Sequence, residues 1–167
     1  TSLSTTDHSQ IIDILTSLNR IYAETDVRIS IPSQRLDSFG TSMAKLVSGK
    51  KKTSLTFAPE AGTQRIRNVI NKNVSDNDIY SAIEQAFKNG WLKCKLYFMI
   101  GLPTETMDDL QGIIDLSHNV LSIARTNVPK SKIHSVQIKV SLSIFVPKPN
   151  IPFQFCSQIS IEEALNR

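Results

Sequence analysis

A chain of 167 residues is long enough to bury one proper core, and one domain is the default expectation. Its apolar content of 40% is ordinary for a soluble globular protein, and no apolar run approaches bilayer length, so a membrane role is excluded and a cytoplasmic location expected. The net charge of +4 is too mild to define a nucleic-acid binder, and two isolated cysteines, Cys94 and Cys156, indicate neither a disulfide framework nor a metal site.

The predicted elements alternate along the chain. Ser2-Leu3-Ser4-Thr5 reads as the tail of a strand whose beginning is missing, as in a fragment of a longer protein. Ile11, Ile14, Leu15, Leu18 and Tyr22 follow a helical spacing, with Asp7 or Ser9 available as N-cap. Val27 to Ile31 alternates as a short strand ending at Pro32, and Phe39, Met43, Leu46 and Val47 suggest a helix ended by Gly49. The basic run Lys50-Lys51-Lys52 follows that helix and reads as a solvated face complementing its C-terminus. Leu55 to Ala58 is the next strand, stopped by Pro59.

Ser75 with Asp78 marks the start of the best-signalled helix, with Val74 and Ile79 at staple positions and Gly90 after its last turn. Lys95 to Ile100 is a nearly unbroken apolar strand that runs into Gly101-Leu102-Pro103-Thr104-Glu105. Thr106 with Asp109 opens another helix, whose predicted buried side is Leu110, Ile113, Ile114, Leu121 and Ala124. Val136 to Val146 is a long strand stopped by Pro147, and Glu162 and Glu163 begin a final helix.

Strands alternating with helices force parallel pairing. About five strands in this order fit an α/β fold of the partial (β/α), TIM-like barrel kind, truncated before its second strand. All strand C-termini then face one mouth, which gathers Thr5, Asp7, Arg35, Glu60, Gly101, Phe145 and Val146. This set suits a zwitterionic ligand with a flat ring. Glu60 can accept from paired sugar hydroxyls, Arg35 or Arg65 can hold a carboxylate, Thr5 and Asp7 can receive an ammonium, and Met99, Ile100, Phe145 and Val146 can sandwich a purine-like ring. A purely structural account of the same residues has prolines terminating strands, Glu60 capping a helix over 62–70 and Arg65 pairing on that helix surface.

Leu55-Thr-Phe-Ala-Pro-Glu-Ala-Gly-Thr-Gln-Arg-Ile-Arg-Asn-Val-Ile-Asn-Lys72 and Lys95-Leu-Tyr-Phe-Met-Ile-Gly-Leu-Pro-Thr-Glu-Thr106 resemble the fourth and fifth strand regions of a radical S-adenosylmethionine (SAM) core. Ile29 to Phe39 is similar to the third strand region and Val140 to Gln154 to the sixth. The nearest resemblance is to bacterial radical SAM proteins that carry a cobalamin-binding-type domain. More distant are the tRNA methylthiotransferases and coproporphyrinogen dehydrogenases.

The resemblance implies that residues 1–167 are the C-terminal part of a radical SAM core, spanning its second to sixth β/α units. It places Glu60 at the ribose contact, Met99 and Gly101 at the adenine contact of the fifth strand, and Phe145 and Val146 at that of the sixth. Ser4 and Thr5 occupy the end of the second strand, where relatives often carry Gly-Gly-Glu for the methionyl amine, and Arg35 is the candidate carboxylate holder. Relatives often have Gly at the place of Thr104.

The implied cofactors are SAM and, in the intact protein, a 4Fe-4S cluster held by a Cys-x-x-x-Cys-x-x-Cys loop that this chain lacks, with cobalamin bound through a separate domain. No catalytic or metal-ligating residue is therefore expected within the chain. The intact enzyme would cleave SAM to a 5′-deoxyadenosyl radical acting on an unknown substrate. Two other readings compete. One is an RNA-modifying enzyme of the methylthiotransferase kind, weakly supported by the basic run. The other is a barrel-like module using the Gly101–Thr106 turn to hold a phosphate or a partner. An exposed edge at Ser2–Thr5 would favour oligomerisation.

Overall fold

The computed structural model describes residues 8–27, 46 and 54–167. The predicted strand at 2–5, that at 27–31 apart from Val27, nearly all of the predicted helix over 39–47 and the basic run at 50–52 lie outside the described residues, as do Ser4, Thr5, Asp7 and Arg35.

Helix α1 (Ile11–Ile21) buries Ile11 and Leu15. It begins after Gln10, whose amide donates to His8 Nδ1 at 3.1 Å, so that Ser9 is not its N-cap, and Asp7 lies outside the described residues. Strand β1 (Leu55–Glu60) leads to the short α2 (Gln64–Val69) and then α3 (Asp76–Lys88). Ser75 caps α3 in a complete capping box: its hydroxyl accepts from the Asp78 amide at 3.1 Å, and the Asp78 carboxylate accepts from the Ser75 amide at 2.8 Å. Strand β2 (Lys93–Ile100) feeds α4 (Met107–Asn127), and a 3₁₀ turn precedes strand β3 (Gln137–Ile144) and the terminal α5 (Ile161–Asn166).

The three strands form one parallel sheet in the order β1-β2-β3, which with the intervening helices makes a partial β/α barrel-like fold. β2 and β3 pair in register from Lys93 with Gln137 to Ile100 with Ile144. Contrary to the expected stop at Pro59, β1 continues through it to Glu60, because the register slips between Phe57 and Glu60. At such a bulge no ladder donor is required, so a residue without an N–H is tolerated.

One face of the sheet carries Leu55, Phe57, Cys94, Leu96 and Phe98, all buried under α3 and α4 with Ile79, Ile83, Phe87, Leu116 and Val120. On α4 the buried stripe differs from expectation: Leu116 and Val120 continue it, whereas Ile114 is 51% exposed. One residue rotates a helix by about 100°, so Ile114 points away from the stripe that Ile113 begins. Cys94 is part of this core, and burial pushes its thiol up to about 12. The opposite face of the sheet is the more open one. Thr56 and Ala58 alternate with buried neighbours in β1, and Lys93, Lys95, Tyr97 and Met99 do so in β2, while Glu60, past the register slip, pairs with Phe98. Among the described residues no helix is long and apolar enough to cross a membrane.

Candidate functional site

The carboxyl ends of the strands carry loops that are tied to one another. At the end of β1, Glu60 takes a left-handed backbone (φ 70°), and its carboxylate lies 3.5 Å from Lys72 Nζ, both side chains about one-third exposed. The chain then turns through buried Ala61 and Gly62, and the Thr63 hydroxyl caps α2. The fully buried Arg67 side chain reaches back from α2. It donates to Ala61 O at 3.0 Å, Gly62 O at 3.4 Å and Val74 O at 3.1 Å, and pairs with Asp76.

At the end of β2, Gly101 (φ 77°) and Thr104 (φ 65°) shape the turn. Glu105 folds its carboxylate back to accept from the Gly101 amide at 2.7 Å and from the Arg167 guanidinium at 2.8 Å. Its side chain is 2% exposed, and burial pushes its carboxyl above the ordinary value against the lowering pull of the Gly101 amide and Arg167. Because Thr104 pays a left-handed penalty that glycine avoids, Thr104→Gly is expected to stabilise the protein by about 0.5–1 kcal/mol. The carbonyl that receives Arg65 at 2.8 Å is kept, and thermal unfolding checks the gain as a rise of about 1–3 °C.

Asp109, buried in the first turn of α4, joins the two loops. Its carboxylate accepts from the Thr106 amide and hydroxyl, both at 2.8 Å, from Arg65 Nε at 3.3 Å, and from the Thr63 hydroxyl and the Arg65 terminal nitrogen. Burial pushes its carboxyl up, but these bonds from Arg65, Thr63 and Thr106 outweigh burial and hold it well below the usual carboxylate range. A folded value below the unfolded one gives stability that is complete above about pH 5 and is lost as pH falls below about 4. The urea midpoint is therefore expected to fall between pH 5 and pH 3, and Asp109→Asn is expected to be less stable at pH 7 and to flatten that fall. Midpoints measured across the range check both.

The end of β3 is roofed by the segment that follows it. Phe145 is 6% exposed and its ring meets Phe153 edge-on at 6.2 Å, while Val146 is 51% exposed. Phe145, Ala61, Ile66 and Leu102 form a small second core, with Met99, Phe153 and Cys156 packed on it. A Cβ on Gly101 would lie 2.7 Å from Ile159 Cδ1, so this segment reaches the β2 turn as well.

The structure thus brings Glu60, Met99, Gly101, Phe145 and Val146 to one end of the sheet, Met99 on its open face and Glu60, past the bulge, in register with Phe98. Arg65 is used in tying the loops, so it does not stand free to hold a ligand carboxylate. The turn that could cradle a phosphate already has its Gly101 and Thr106 amides bonded to Glu105 and Asp109. Arg67, Glu105 and Gly62 shape the loops without having stood out in the sequence.

For a SAM-like ligand the donor set fits in part: an accessible carboxylate at Glu60 lies at the same sheet end as the thioether of Met99. The residues do not fit an iron-sulfur cluster. The chain has two cysteines, of which Cys94 is buried on the helix-covered face, and among the described residues no group of three His, Cys, Asp or Glu is placed to hold a metal.

A parallel β/α partial barrel with clamped loops at its strand ends is the class of protein these features define. Residues 1–117 match the radical SAM superfamily, and the chain belongs to it. It is also 35% identical over 148 residues to an uncharacterised protein of Methanocaldococcus jannaschii, MJ0966. That similarity covers 89% of this chain and 29% of the relative, so the chain spans less than a third of the protein it matches. The family span contains Ser4, Thr5, Arg35, Glu60, Met99 and Gly101, and stops before Phe145 and Val146. Neither comparison carries support for a cobalamin-binding neighbour.

Proposed function

We propose that this chain is the SAM-binding wall of a radical SAM enzyme, the C-terminal part of a core whose cluster cysteines come from outside these 167 residues. The family match carries the reading, supported by Glu60 and Met99 at the same carboxyl end of the sheet. Glu60 takes the ribose hydroxyls, and its pairing with Lys72 at 3.5 Å between partly exposed side chains is weak enough for a ligand to displace. Met99 and the Gly101 turn lie against the adenine, with Phe145 backing them through the small second core. The chain's own contribution is binding and orientation. The reaction class of the complete protein is reductive cleavage of SAM to the 5′-deoxyadenosyl radical, with the electron supplied by its cluster.

The test is anaerobic incubation of the reconstituted intact protein with dithionite and SAM, followed by chromatography for 5′-deoxyadenosine. Formation of that product is expected, and Glu60→Gln is expected to weaken SAM binding about tenfold. A correctly loaded protein that yields no 5′-deoxyadenosine would overturn the reading.

A further inference from the structure

The open face of the sheet is not electrically uniform, and its asymmetry lies away from the strand ends. Thr56, Lys95 and Lys139 are neighbours in one row across β1, β2 and β3. Residues paired in register across parallel strands share a face, so this row stands on the same side as Met99. Lys93 lies one alternation below Lys95 and is exposed. Above the row come Tyr97 beside Ser141, then Met99 beside Ser143.

Lys93, Lys95 and Lys139 therefore share a face, and the acidic residue of the three strands, Glu60, lies at the far end, in register with Phe98 of the other face and beside Lys72. Neither Lys95 nor Lys139 has a carboxylate partner among the described residues. Lys95 Nζ instead sits 4.2 Å from the Tyr97 ring centroid and donates to the Tyr97 hydroxyl, which directs it along the face toward the strand ends. Like charges directly opposite each other across a sheet cost stability. A pair of lysines on a barrel-facing surface, without a carboxylate partner among the described residues, therefore points to a negative group that completes it.

We infer that Lys95 and Lys139 form an anion-binding wall for the substrate: its carboxylate or phosphate end is held by these two ammonium groups and the Tyr97 hydroxyl. This rests on the reading of the strand ends as the SAM site. Four residues separate Lys95 from Met99, about 13 Å along a strand. The substrate class is then an elongated organic anion, long enough to hold its charged end at the lysines while its reacting carbon reaches the Glu60 and Met99 level. Two ammonium groups give charge-assisted contacts that a water-filled face would not reproduce.

Calorimetry of the intact protein with pyrophosphate and with citrate tests this and separates a phosphate from a carboxylate preference. One of the probes is expected to bind, Lys95→Met and Lys139→Met each to weaken it about ten- to hundredfold, and Lys139→Arg to retain most of the affinity. Lys88→Met, which removes an exposed helix lysine paired with Glu84, is expected to leave it unchanged. Thermal midpoints of the two methionine variants are expected to equal or exceed that of the parent, which separates lost binding from lost folding. Absence of binding by both probes, or binding indifferent to Lys95 and Lys139, overturns the inference. So does a salt-sensitive tRNA interaction that depends on these lysines while neither small anion binds, because the wall then serves nucleic acid. Formation of 5′-deoxyadenosine without substrate is read separately: its failure removes the enzyme reading and leaves anion binding standing.

Discussion

Arg67→Met is expected to destabilise the protein by about 3–5 kcal/mol, because three backbone carbonyls lose their donor at about 1–3 kcal/mol each. Methionine fills much of the same volume, so the loss is polar rather than steric. The guanidinium is fully buried, and its removal takes the donors from the carbonyls of Ala61, Gly62 and Val74. The companion substitution Asp76→Asn removes the charge partner instead. Asp76 is half exposed and Arg67 keeps its carbonyl acceptors, so this change is expected to cost no more than about 1 kcal/mol. Urea unfolding of both variants checks the asymmetry. Equal losses would mean that the ion pair, and not the backbone clip, holds the loop after β1.

The consequence reaches the site. Ala61 and Gly62 directly follow Glu60, and Arg67 fixes them against the start of α3. A loop released from this clip leaves the Glu60 carboxylate without a fixed position. Glu60 is held in a left-handed backbone by its neighbours and not by its own preference. Affinity for SAM is therefore expected to fall in Arg67→Met even under conditions where the variant remains folded.

The elements were legible in the sequence where local chemistry decides them. Ser75 with Asp78 and Thr106 with Asp109 signalled two helix starts because a capping residue acts on amides within the next turn. The apolar run ending at Ile100 signalled a strand, but not one buried on both faces, because its burial alternates and Tyr97 and Met99 stand on the open face. Pro59 misled because a bulge, which depends on the partner strand, makes its missing N–H harmless.

The loop geometry was harder to read. Arg67 stands among polar neighbours with nothing local to say that it is buried, and its backbone acceptors lie five to seven residues away in the loops on either side. Asp109 was visible as a helix-opening residue, yet its bonds to Thr63 and Arg65 span 46 and 44 residues, beyond any periodicity. The alternation of strands and helices gathers Glu60, Met99 and Gly101 at one mouth, and the family resemblance implies that they serve one ligand.

Gly62→Ala is expected to be the second severe change, costing about 2–3 kcal/mol at the upper end of overpacking. A Cβ there would fall 2.5 Å from Asp109 O and 2.6 Å from Gly112 C, and closer still to Ile113 N. All three are backbone atoms of α4, so no side chain can turn aside and the loop or the helix must move. Gly112→Ala, on the other side of the same contact, is a sharper control than a distant site. Its Cβ meets chiefly the Thr63 methyl at 2.6 Å, and alanine gains about 1 kcal/mol of helix propensity over glycine. The two effects oppose, so Gly112→Ala is expected to change stability by less than about 1 kcal/mol. If both variants unfold at the same urea concentration, the close approach of loop and helix is not what fixes the distance between them. If Gly62→Ala alone collapses, the ends of β1 and β2 are set by direct backbone contact. The spacing of Glu60 from the Gly101 turn is then a property of the scaffold, in place before any ligand arrives.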